Sequence, residues 1–168
     1  MLGGIGTPQF TRCSALLYGR PDVRYRSQEV SNPDGAEEIR ASVVTTGFFD
    51  VLGVEPAVGR SFHADESRDG RPLTVVLSHG FWQQRFGGSP AALGATLVLD
   101  GAPHTVIGIA PRDFESPAGG TGLFLAMDFT PNAIDRGQNY LTPMGRLKPG
   151  ISLEEAQLEM EGLGAALA

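Results

Sequence analysis

The run ATLVLDGAPHTVIGIA, residues 95–110, places the tightest limit on what this chain can fold into. Two alternating, β-rich stretches flank Asp100-Gly101. A two-residue type I′ turn needs φ > 0 at both central positions, which Gly adopts freely and Asp tolerates. The spacing therefore predicts a β-hairpin, and the fold must hold an antiparallel pair at mid-chain.

Other segments are read outward from that hairpin. Leu73–Leu77 is short, apolar and β-branched, as in a buried strand. Ser78 is placed to cap a helix over 79–86 that Gly87-Gly88 stops, with a further turn at 90–93. Residues 46–53 read as a short helix capped by Thr45 or Thr46 and closed by Gly53. Asp22–Ser27 and Glu37–Thr45 read as strands joined through the turn-forming Ser31–Gly35, after a break at Gly19-Arg20-Pro21. Residues 63–72 read as an exposed polar loop, Leu123–Met127 as a strand, and Tyr140–Lys148 as a strand placed at an edge or bulge by Pro143. Ser152 and Glu155 form a capping box, followed by an apolar stripe of Leu153, Ala156, Met160, Leu163 and Leu167. The sum is an α+β fold of short, mostly antiparallel strands.

Composition narrows the function classes. A net charge of −6 with scattered arginines argues against nucleic-acid binding, which needs a basic stripe, and gives no reason for adsorption to anionic lipid. The single cysteine, Cys13, rules out an internal disulfide. No stretch reaches the roughly 20 apolar residues of a membrane span, and the first residues lack a signal-peptide pattern. The chain is therefore expected to be soluble as it stands.

Candidate chemistry is sparse. His63, His79 and His104 lack the close spacing of metal ligands. Ser78-His79 has no nucleophile-elbow context, and adjacent side chains diverge. The acidic pairs Asp65/Glu66 and Glu154/Glu155 fall in a polar loop and on a capped helix, where solvation is the default. Gly3–Gly6 and Gly119-Gly120-Thr121-Gly122 lack the G-K-[ST] ending of a phosphate loop. Phe48, Phe49, Phe81, Trp82 and Phe86 read as core. No catalytic, cofactor-binding or metal residue is assigned, so the chain is expected not to be an enzyme.

Four blocks carry a family signal: VVTTGFFDVLGVEPAVGRSF (43–62), TVVLSHGFWQQRFGG (74–88), LGATLVLDGAPHTVIGIAPRDF (93–114) and GRLKPGISLEEAQLEMEGLGAALA (145–168). In this order they resemble the periplasmic core domain of MacB-like ABC transporter permeases, in the orphan-permease variant of acidobacterial type. The resemblance implies a two-lobed domain over 1–168. An α/β lobe comes from both chain ends (about 1–62 and 140–168) and a β-rich lobe of short antiparallel strands is inserted between them (73–130).

The resemblance also implies a place on the periplasmic side of the bacterial inner membrane, between two membrane helices of a permease that this sequence lacks. It implies no catalytic residue and no cofactor, because the family's ATP chemistry resides elsewhere. The expected function is non-catalytic coupling of membrane-helix motion to partner or substrate engagement during efflux. The expected partners are the rest of the permease, an ABC ATPase, an adaptor or other periplasmic protein, and a second copy in a homodimer. The alternative is a free-standing binding or oligomerisation module. The chain begins where the family would show a membrane helix and an opening strand; without that strand, a sheet edge would be exposed.

Overall fold

In a computed structural model, which describes residues 10–27, 37–66, 70–127 and 141–167, the central hairpin forms as its turn chemistry requires. Asp100 (φ 48°) and Gly101 (φ 84°) both sit at positive φ. They join β5 (Thr96–Leu99) to β6 (Ala102–Ile109), with Leu99 opposite Ala102. For this count β1 is Phe10–Ser27, β2 Glu37–Val44, β3 Val58–Gly59 and β4 Thr74–Leu77. The last two strands are β7 (Leu123–Ala126) and β8 (Leu141–Leu147). The helices are α1 (Phe48–Leu52), α2 (His79–Phe86) and α3 (Leu153–Leu167), with a 3-10 turn at Pro90–Ala92.

All the described strands belong to one mixed sheet, in the order β2-β7-β4-β6-β5-β1-β8, with β3 on β6. The pairs β2–β7 and β4–β6 are parallel; the others are antiparallel. Strand β2 also bonds to β1, so the path from β2 through β7, β4, β6 and β5 to β1 returns to its start. β8 lies outside this circuit, on the first half of β1.

Side-chain alternation sorts the core onto the two faces of that sheet. One face carries Val75, Leu77, Val106, Leu97, Leu99 and Leu123, with Phe81 of α2 and Ala92 packed over it. The other carries Val76, Ile107 and Phe124, covered by Phe48 and Phe49 of α1 and by Phe62. A bulge in β6 puts Val75 opposite Val106 but Val76 opposite Gly108. That extra residue lets Val106 and Ile109 face one cluster while Ile107 faces the other.

The local caps follow their chemistry. The Ser78 hydroxyl accepts from the Phe81 amide (3.2 Å), and Gly87 closes α2 in the left-handed region. Ser152 and Glu155 make the reciprocal capping box, the Ser152 amide donating to Glu155 Oε2 (2.9 Å) and the Glu155 amide to Ser152 Oγ (3.2 Å). Gly53 ends α1 at φ 65°.

Several expectations are corrected. Neither Thr45 nor Thr46 caps α1: Gly47 holds that position with no side-chain bond, and Phe48 N–H bonds to the Thr45 carbonyl instead (3.0 Å). The backbone supplies the acceptor, so the threonine side chains are not needed there. Gly19-Arg20-Pro21 does not break the first strand; β1 runs through it, with register shifts against β2 on both sides of Arg20. The Pro143 strand, β8, is the one at the end of the sheet order. In the α3 stripe, Ala156 is buried (2% exposed) but Leu153 (74%) and Met160 (50%) face outward. Periodicity defined that face without supplying anything to cover it. The Ser31–Gly35 turn and the Gly3–Gly6 run lie outside the described residues.

Candidate functional site

The chemistry-bearing residues singled out in the sequence do not converge. Ser78 Oγ is engaged as a helix cap, while the neighbouring His79 ring meets Trp82 edge-on, with centroids 5.5 Å apart. They share no hydrogen bond of the nucleophile–base kind. His63 sits in an exposed loop, where its amide donates to Glu66. His104 is half-buried on β6, its Nδ1–H donating to the Ala102 carbonyl (3.0 Å). Burial holds the His104 pKa below the ordinary imidazole value, against the opposing effects of that bond and of Asp100. Among the described residues no three of His, Cys, Asp or Glu gather as a metal would require.

Asp65, Glu66 and Glu155 are engaged in structural contacts. Arg60 clasps Glu66 through two bonds of 2.9 and 3.0 Å, and Asp65 pairs with Arg71 (2.9 Å). Burial pushes the Glu66 carboxyl up, but the bonds from Arg60 and the His63 amide outweigh it and hold the group below its usual range. Glu155 is drawn down by the amide and hydroxyl of Ser152. Phe48, Phe49 and Phe81 are core, as their sequence context suggests.

A polar cleft arises instead from sheet register. At one end of the sheet β7 begins and β4 and β6 finish, level with Arg40 within β2. Parallel pairing of Ala41 with Leu123 puts Arg40 beside Gly122, whose amide donates to the Arg40 carbonyl (2.9 Å). Antiparallel pairing of Leu123 with Leu77 brings Ser78 alongside, its amide donating to the Gly122 carbonyl (2.9 Å). Ala110, just past β6, donates to the Leu77 carbonyl (2.8 Å), which leads the chain to Arg112 at the far end of the row.

Two pockets lie along this row and meet at Ser78, Gly120 and Thr121. The first, about 310 Å³, is walled by Arg40, Gln84 and Arg85; the second, about 280 Å³, by His79, Arg112 and Glu115. Hydroxyls fasten the floor. Buried Ser42 lies 2.8 Å from the Thr121 hydroxyl and 3.4 Å from that of Ser116, which also accepts from the Ala118 amide. The 116–122 loop is therefore tied to β2.

Sequence reading missed Arg40, Arg112 and the Ser42–Ser116–Thr121 cluster. The Gly119–Gly122 run was a visible signal, but it was tested only as a phosphate loop. Its partner strand is some 80 residues away, so nothing local to it names Arg40.

Comparison with known proteins places this geometry. The family model described as "MacB-like periplasmic core domain" matches residues 5–163. The chain is 32% identical, over 77% of its length, to "Macrolide export ATP-binding/permease protein MacB 1/2" of Paracoccus denitrificans. It is 26% identical, over 84% of its length, to "Probable export ATP-binding/permease protein MacB" of Pseudomonas entomophila. It spans only 20% of the length of either relative. Its fold resembles the periplasmic region of MacB from Actinobacillus actinomycetemcomitans, with a TM-score of 0.68, 15% identity and coverage of 96% of this chain and 69% of that one. The extracellular domain of the ABC-type transporter YknZ is also similar (TM-score 0.58, 16% identity, 95% of this chain and 79% of that one). Among the described residues, no helix is long and apolar enough to cross a membrane. The chain belongs to the MacB-like periplasmic core domain family, a domain of ABC transporter permeases and not a known catalytic domain.

Proposed function

We propose that this domain works without catalysis, on the periplasmic side of the inner membrane, in a permease that exports its substrate. Motion of the membrane helices leading into the domain would be passed through it to a partner protein or to the substrate. The observation that carries this reading is the family match over residues 5–163, together with the same fold in the MacB periplasmic region. The proposal includes an ABC ATPase, an adaptor or other periplasmic protein and a second copy of the chain as partners. It also includes the division into an α/β lobe from the chain ends and a β-rich lobe over 73–130.

Two features support a transmitting role. The strand circuit ties residues 41–44 to 123–126, so displacement of either segment is felt across the sheet. Leu153, Leu158 and Met160 are exposed on α3, and in this reading the rest of the permease covers them.

The test is to reconstitute the parent permease with its ATPase in proteoliposomes. The domain is replaced by a flexible Gly/Ser linker, with membrane insertion and ATPase association verified. ATP hydrolysis is expected to persist while efflux is lost. Efflux at the parent rate would refute coupling through this domain.

A further inference from the structure

We propose that the cleft where β7, β4 and β6 end beside Arg40 of β2 binds an extended acidic segment of a partner protein, through two carboxylates that engage Arg40 and Arg112. The starting point is how the described arginines are employed. Arg60 and Arg71 are paired with Glu66 and Asp65, and Arg146 donates to the Val51 carbonyl (2.8 Å). Among the described residues, the exposed side chains of Arg40 and Arg112 meet no hydrogen-bond or ion-pair partner. They line adjoining pockets that meet at Ser78, Gly120 and Thr121. With Arg85 against the single carboxylate of Glu115, their walls are basic in a chain whose net charge is −6. At physiological salt the charge of the remaining surface is screened beyond about 8 Å, so the local arginines set what the cleft attracts.

The spacing selects the ligand. Arg40 walls only the first pocket and Arg112 only the second. Arg40 stands on β2 and Arg112 follows the end of β6; those two strands are three places apart, roughly 14 Å at about 4.8 Å per strand. A single phosphate or carboxylate is held best by donors that converge, and these two sit in separate pockets. An extended chain advances about 3.3 Å per residue and returns to the same face every second residue. Residues i and i+4 of such a chain lie on one face about 13 Å apart, close to the separation of β2 and β6. Guanidinium–carboxylate pairing then supplies the charge-assisted bonds. The Ser78–Thr121 waist offers polar surface to the backbone between them. The first pocket is mostly polar-walled, and both are at or below the low end of the size range of small-molecule sites, which favours a chain segment over an apolar ligand.

This inference extends the proposed function by naming the chemistry of the partner, and its test needs neither ATPase nor membrane. A null result therefore removes the acidic partner and leaves the coupling proposal standing.

The experiment is an NMR titration of the ¹⁵N-labelled 168-residue chain. The probe is a capped Ser/Thr peptide with glutamates four residues apart. A peptide with adjacent glutamates and inorganic phosphate serve as comparisons. The spaced peptide is expected to shift the amides of Ser78, Thr121 and Gly122, with an affinity that falls as salt rises. Arg40→Glu combined with Arg112→Glu should weaken it at least tenfold, and Glu115→Gln should strengthen it. These side chains are exposed, so unchanged circular dichroism is the check on folding. Equal binding by the double variant overturns the proposal. So does binding of phosphate or the adjacent-glutamate peptide as tight as that of the spaced one, since either would mark a single-anion site.

Discussion

Replacing Gly108 by Ala adds one methyl group at the crossing of β3 and β6, where it has nowhere to go. The new Cβ would stand 2.2 Å from the Arg60 carbonyl oxygen and 3.2 Å from its carbon. Both are backbone atoms, so no rotamer change relieves the contact. β3 must move away by more than an ångström to reach ordinary van der Waals distance. That motion stretches two of the bonds fastening it to β6, Arg60 N–H to the Ile107 carbonyl (3.0 Å) and Ala57 N–H to the Ile109 carbonyl (2.8 Å). Each contributes about 1 kcal/mol net. Residual overpacking adds about 1 kcal/mol or more, for a total loss of about 3 kcal/mol. For a domain of this size, that corresponds to a Tm fall of about 6–12 °C. Urea unfolding followed by the fluorescence of Trp82, which packs half-buried against the core, reads the loss directly. Gly162→Ala is the matched control: it lies within α3 with nothing within 4 Å of a Cβ. It should stabilise by up to about 1 kcal/mol, because Ala has the higher helix propensity. If Gly108→Ala unfolds at the wild-type midpoint while the control shifts as expected, the crossing is looser than described and the argument fails.

Other perturbations separate the remaining contributions. Phe124→Ala removes a fully buried ring in contact with Phe48, Phe49 and Phe114, and should cost about 3–5 kcal/mol in the same urea assay. Ser78→Ala deletes the α2 cap and should cost about 1 kcal/mol. Glu66 has a folded pKa below its ordinary 4.5, so its pairing with Arg60 stabilises above that value and is lost as pH falls through the folded pKa. Unfolding midpoints between pH 5 and pH 3 should therefore drop less steeply in Glu66→Gln than in the parent. His104 is depressed from 6.5, so below that pH the unfolded chain binds a proton that the folded chain resists. Stability should decline as pH falls below 6.5, and His104→Gln should flatten that part of the profile.

How much was legible in the sequence depended on the range of the interaction. The Asp100-Gly101 turn, the Ser78 cap and the Ser152–Glu155 box were readable because each is completed within four residues, by dihedral preference or a side chain reaching its own backbone. The α1 cap failed as a reading because Thr45 and Thr46 are both acceptable caps locally, and the turn there is closed by backbone groups. The α3 stripe was visible as a period of three and four, yet burial needs a neighbour, and periodicity does not name one.

By itself, then, the sequence determined the strand and helix positions around its turn and cap residues, and its four ordered blocks identified the family. Only the tertiary structure decided that β1 continues through Gly19-Arg20-Pro21, that β2 bonds to both β1 and β7, and that Arg40, Thr121, Ser78 and Arg112 line adjoining pockets. The physical reason is that strand register is set by pairing between segments far apart in the chain, such as Phe10 with Leu147. Turn and cap chemistry acts within a few bonds, whereas register depends on which apolar faces the assembled sheet can bury together.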